Sequence, residues 1–142
     1  MKTKEKNIEM FPSGNKARKP CVLIYDDDKE ILFLCKAILG EDQYDVVTLS
    51  FCENVIADID LIKPDVILMD LWIPTIGGEQ AIMLLKNDPL TRDIPVIIFS
   101  ANAEIKEICS RIKADGYIEK PFDIMLLKDT IRTHIVDKVV VS

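Results

Sequence analysis

The chain has 142 residues, 49% of them apolar and 30% charged, which suits one globular domain with a sizeable core. No apolar run approaches the roughly 20 residues of a membrane-spanning helix. The basic start lacks the apolar segment of a signal peptide, so a cytoplasmic location is expected. Residues 1–20 carry a net +4 and residues 21–142 a net −10, and so acidic a body argues against phosphate-backbone binding.

Residues 1–20 show no apolar periodicity, contain Pro12, Ser13, Gly14 and Asn15, and read as a disordered basic leader. Cys21–Tyr25 is a short apolar run ending in Asp26-Asp27-Asp28, and is expected to be a strand. A helical period follows, with Ile31, Leu34, Cys35, Ile38 and Leu39 on one face, Asp28 as N-cap and Gly40 as the stop. Tyr44 to Leu49 is a weaker strand. A helix from about Glu53 to Lys63 turns Val55, Ile56, Ile59 and Ile62 inward, and Pro64 ends it. Val66-Ile67-Leu68-Met69, between Pro64 and Pro74, reads as a strand buried on both faces, with Asp70 at its end.

After a loop through Gly77-Gly78, a helix is expected around Ala81, Ile82, Leu84 and Leu85, closed by Asn87-Asp88-Pro89. Pro95 to Phe99 is another apolar strand, ending on Ser100. Glu104 to about Lys113 is helical, with Ile105, Ile108, Cys109 and Ile112 inward. Asp115-Gly116 turns the chain into the short strand Tyr117-Ile118-Glu119, followed by Lys120-Pro121. Asp123 caps a last helix with Ile124, Leu127, Ile131 and Ile135 inside. Five strand–helix alternations with short connections predict an α/β fold, a parallel sheet covered by helices on both faces. The domain is expected over 21–137. For the short tail 138–142, with its apolar Val139-Val140-Val141, helix extension, pairing with a partner and fraying are all open.

Parallel strands bring their C-terminal ends to one edge, where ligands of open α/β sheets bind. Asp26, Asp27, Asp70, Ser100 and Lys120 all stand at such ends. Crowded carboxylates repel unless a cation joins them, and oxygen ligands of this kind suit Mg2+, which keeps several waters. The arrangement fits Asp27 and Asp70 on the ion, Asp26 acting through water, Lys120 and Ser100 on phosphate oxygens, and an Asp as nucleophile.

The motifs Leu23-Ile24-Tyr25-Asp26-Asp27-Asp28, Ile67-Leu68-Met69-Asp70-Leu71-Trp72-Ile73-Pro74 with Gly78, Phe99-Ser100-Ala101 and Tyr117-Ile118-Glu119-Lys120-Pro121-Phe122 resemble those of the receiver domain of two-component response regulators. The resemblance covers roughly Cys21 to Val136. It implies a flavodoxin-like, three-layer αβα fold with five strands in the order 2-1-3-4-5 and five helices. It further implies Asp70 as phosphoacceptor, Asp26 and Asp27 as the acid pair, and the Trp72 backbone carbonyl as a further ligand of Mg2+. Lys120 would contact the phosphoryl group, Ser100 would move toward it, and Tyr117 would swing inward. The donor would be a histidine kinase or phosphotransfer protein. The readout face would lie on the fourth helix, fifth strand and fifth helix, serving a downstream protein or a homodimer, with no direct nucleic-acid or membrane role.

Gly77 stands where the family often has an acidic residue, and Trp72 is unusually large for its position. Trp72 with Asn102 is expected to set how long the acyl phosphate survives; the other reading of Trp72 is a surface anchor for a partner. Two further readings stay open: a pseudo-receiver that signals without phosphate, and an aspartate-nucleophile phosphatase. The second wants its nucleophile on the first strand, followed by a Thr or Val that Asp26-Asp27-Asp28-Lys29-Glu30 lacks. Cys21, Cys35, Cys52 and Cys109 have no CxxC spacing and read as buried thiols. His134, the only histidine, reads as a surface residue.

Overall fold

The computed structural model describes residues 18–141, with side chains described as far as Ile135. Of the expected leader, only Arg18–Pro20 falls within the described residues. Five strands alternate with five helices: β1 Cys21–Tyr25, α1 Lys29–Glu41, β2 Asp45–Leu49, α2 Val55–Ile62, β3 Val66–Met69, α3 Gly78–Asn87, β4 Val96–Ser100, α4 Ile105–Ile112, β5 Gly116–Glu119 and α5 Ile124–Val141. The strands are all parallel and lie in the order β2-β1-β3-β4-β5. The expected three-layer α/β sheet is therefore what forms. The α5 backbone runs through Val141 and so takes in the apolar tail Val139-Val140-Val141.

Period two in the strands divides the core. Leu23, Tyr25, Ile67, Met69, Val96 and Ile98 face one layer, filled by residues of α2, α3 and α4. Their neighbours Val22, Ile24, Val66, Leu68, Ile97 and Phe99 face the other, filled by α1 and α5. Helices this short owe their stability to the packed face rather than to propensity, and the caps fix where they begin. Asp28 Oδ1 accepts the N–H groups of Glu30 at 2.9 Å and Ile31 at 3.4 Å. Asn54 caps α2 by accepting the Ala57 N–H, and Asp123 caps α5 by accepting the Met125 N–H.

Several inward-facing positions differ from expectation. In α1 the buried residues are Leu32, Cys35, Ile38 and Leu39, whereas Leu34 is 43% exposed. Leu32 and Leu34 both fit a helical stripe, and the way the helix lies on the sheet selects between them. Gly40 does not stop α1; the helix continues to Glu41, and Asp42 closes it by donating its N–H to the Leu39 carbonyl. Leu84 and Ile124 are exposed for the same reason, each lying at the margin of its helix's buried stripe. Cys21, Cys35 and Cys52 are buried free thiols, as expected, while Cys109 is half-buried. His134 is not a surface residue. It is half-buried, its ring lies 3.5 Å from where a Cβ on Gly116 would stand, and its Nδ1 meets the Thr130 carbonyl at 2.8 Å.

Candidate functional site

The parallel register carries the ends of β1, β3, β4 and β5 to one edge, and the sequence loads each end with a functional group. Asp26 follows β1, Asp70 follows β3, Ser100 closes β4 and Lys120 follows β5. Backbone bonds hold these ends level: the Asp70 N–H donates to the Tyr25 carbonyl at 3.0 Å, and the Lys120 N–H to the Ser100 carbonyl at 2.9 Å. Asp26, Asp27 and Asp70 each bring a carboxylate oxygen within 4.8 Å of the others.

Within this group, Asp26 is the most committed. It is fully buried, its Oδ2 accepts from Lys120 Nζ at 2.5 Å, and its Oδ1 accepts the Asp28 N–H at 2.9 Å. Lys120 Nζ stands 3.6 Å from Asp70 Oδ2 and 4.8 Å above the Phe99 ring, which stacks on Phe122 at 5.3 Å. The Phe99 ring, backed by Phe122, offers its face to the ammonium opposite an all-acidic set of partners. The sequence pattern alone gives these aromatics no role at the site, although both stand in the quoted motifs. Burial raises the Asp70 pKa above the ordinary carboxylate value; Lys120 opposes this, Asp26 adds to it, and the Trp72 N–H, donating to Asp70 Oδ1 at 3.3 Å, opposes it. Below the edge, burial and then the Asp26 charge push the Cys35 thiol up to about 12, so it is a neutral packing residue.

Three carboxylates against one ammonium leave the cleft short of positive charge. This is the condition under which a divalent cation binds, and an all-oxygen donor set fits Mg2+. Asp27, exposed, and Asp70 have oxygens to offer, whereas both oxygens of Asp26 are already engaged.

Gly78, quoted only as part of a motif, has a reason the sequence did not show. A Cβ there would lie 2.2 Å from the Asp70 carbonyl oxygen, so only glycine lets α3 begin against the end of β3. Gly77, at φ 84°, supplies the left-handed turn before it. Of the remaining expected residues, only Trp72 bonds a carboxylate of the group, through its backbone N–H. Ser100 is buried, and its Oγ accepts the Asn102 N–H at 3.3 Å; Asn102 Oδ1 in turn accepts the Glu104 N–H at 2.7 Å. Tyr117 on β5 is 39% exposed and Trp72 71% exposed.

Residues 22–132 match the response regulator receiver domain family. The chain belongs to that family. Among curated relatives of this receiver, the transcriptional regulatory protein KdpE of Staphylococcus aureus is 34% identical over 78% of this chain and 48% of its own length. Protein PilG of Pseudomonas aeruginosa is 28% identical over 80% of this chain and 86% of its own. The chain thus spans about half the length of relatives such as KdpE, but most of PilG. Among solved structures, a CheY-like receiver domain protein from Methanospirillum hungatei superposes with a TM-score of 0.78 at 23% identity, covering 88% of this chain and all of that one, which shows the shared fold. The flavodoxin-like strand order 2-1-3-4-5 implied by the resemblance is the order observed. No helix among the described residues is long and apolar enough to cross a membrane.

Proposed function

We propose that this receiver accepts a phosphoryl group on Asp70 from a histidine kinase or histidine phosphotransfer protein and signals by a change in shape. The observation that carries the reading is the charge-deficient cleft, in which the clustered carboxylates of Asp26, Asp27 and Asp70 meet a single ammonium, bonded to Asp26 and 3.6 Å from Asp70. An Asp70 oxygen attacks the phosphorus of the donor. The bond between phosphorus and the donor's nitrogen or oxygen breaks, and its electron pair leaves with the donor. Mg2+, held by Asp27, Asp70 and the Trp72 carbonyl with Asp26 behind them, would neutralise charge on the transferring oxygens. Lys120 swings little, because its Nζ already lies between Asp26 and Asp70. Release of Ser100 Oγ from the Asn102 N–H frees it for a phosphoryl oxygen. The loop after β4 follows, and Tyr117 turns from its half-exposed position into the space left.

Trp72, standing in solvent beside Asp70, and Asn102 set the access of water and so the lifetime of the acyl phosphate. The readout surface is the α4–β5–α5 face, where Tyr117, Ile124, Met125 and Leu126 are exposed. It serves a downstream protein or a second copy of the chain in the cytoplasm, without direct contact with nucleic acid. The test is incubation with Mg2+ and acetyl phosphate, followed by intact mass. One added phosphoryl group is expected on the wild type and none on Asp70→Asn; equal uptake by both would remove Asp70 from the role.

A further inference from the structure

Tyr25 closes β1, next to Asp26, and is fully buried. An aromatic hydroxyl there must find a partner, and it does: the Tyr25 O–H donates to Asp58 Oδ2 of α2 at 2.7 Å. Cys52 lies in the same packed layer as Tyr25, together with Val55, Leu71 and Ile73. The Cys52 backbone clasps the β3–α3 loop from the side. Its N–H donates to the Pro74 carbonyl at 2.6 Å, and its carbonyl accepts the N–H groups of Thr75 at 3.3 Å and Ile76 at 3.2 Å. The two segments pair there as an isolated parallel bridge. The loop so held joins Asp70 and Trp72 to Gly78, and its far end is fixed by the Gly78 N–H donating to the Leu71 carbonyl at 3.1 Å.

We infer that Tyr25 is a positioning residue for the cleft: its hydroxyl anchors α2 through Asp58, and the Cys52 clasp carries that anchorage to the loop bearing the Trp72 carbonyl. Nothing else in the described structure ties the start of α2 to the end of β1 through a buried side-chain hydrogen bond. Removing the hydroxyl keeps the ring and its packing, but leaves Asp58 half-buried without its donor. The clasp then has one fixed side instead of two, and the loop gains freedom where the ion needs a fixed oxygen. A group that orients a ligand without touching the ion acts on affinity more than on fold.

The inference rests on the proposed binding of Mg2+ at this cleft, and the experiment separates the two. Trp72 is the only tryptophan and sits on the loop in question, so its emission reports both the loop and the ion. Wild type is titrated with Mg2+ first; no saturable change there would count against the metal reading itself. Given a wild-type response, Tyr25→Phe should shift the Mg2+ midpoint upward by about tenfold, the lower end for outer-layer partners of metal sites. Asp58→Ala should shift it similarly, and Asp58→Asn, which keeps an acceptor oxygen, should recover most of the difference. Tyr25→Phe with a midpoint within twofold of wild type overturns the inference, whether or not its urea stability has changed. Should Tyr25→Phe fail to fold, the Asp58 pair decides: equal midpoints for Ala and Asn overturn it as well.

Discussion

Two lysine–aspartate pairs stand at opposite ends of the sheet, and they serve opposite ends. At the N-terminal edge, Lys86 Nζ meets Asp115 Oδ2 at 2.6 Å and also donates to the carbonyls of Arg92 at 3.0 Å and Ile94 at 2.9 Å. The same Asp115 oxygen accepts the Val96 N–H at 2.8 Å. Every donor of that ammonium has a partner, and the cluster staples α3, the turn after it, β4 and the entry to β5. At the C-terminal edge, Lys120 is bonded to Asp26 at 2.5 Å and stands 3.6 Å from Asp70, and Asp27 adds a third carboxylate to that group. One pair is closed and electrically complete. The other is short of positive charge. Identical side chains become a fastening or a charge-deficient cleft according to whether the surrounding polar groups leave anything unmet.

Variants that break one pair and spare the other sharpen this contrast. The largest difference is expected in phosphoryl uptake: Asp70→Asn loses it, while Lys86→Met, measured by intact mass after acetyl phosphate, retains it. Next comes the response to the ion. Mg2+ at a hundred times its dissociation constant should stabilise the wild type by about 2.7 kcal/mol in urea titrations, and Asp27→Ala should lose most of that gain. Lys86→Met should cost about 1–3 kcal/mol, a figure discounted for the partial exposure of Asp115, with no recovery on adding Mg2+.

A smaller effect concerns pH in the metal-free protein. Burial holds the folded Asp70 pKa above 3.8, so the folded chain keeps that proton after the unfolded chain has lost it. Above the folded value, the native state carries an unfavourable carboxylate. Asp70→Asn should therefore raise the urea midpoint at pH 7, and the gain should vanish as pH falls through the folded pKa towards 3.8. A gain that persists at low pH would contradict burial as the cause. Smallest of all, Trp72→Asn should leave stability within about 0.5 kcal/mol while changing the dephosphorylation rate measured after removal of the donor. An unchanged rate favours Trp72 as a partner anchor.

The pair at the C-terminal edge was legible in the sequence because strand ends are. A continuous apolar run stops on Asp70, another on Asp26, and parallel topology does the rest. The fastening pair was not legible. Lys86 lies at the end of α3 and Asp115 in a turn beyond α4, and no local pattern says that two distant surface-type residues will share one carbonyl-lined corner. Helix phase was half legible: the stripes in α1 and α3 were found, but Leu34 and Leu84 were placed inside when the sheet leaves them out. Tyr25 looked like one more apolar strand residue, because its partner Asp58 belongs to another element.

The approach of Gly78 to the Asp70 carbonyl has a practical corollary. A single methyl at position 78 would collide with main chain rather than with a yielding side chain. Gly78→Ala is thus a way to silence the molecule while every charged, hydroxylated and aromatic group stays chemically intact, giving genetic experiments a disabled allele that differs by one carbon.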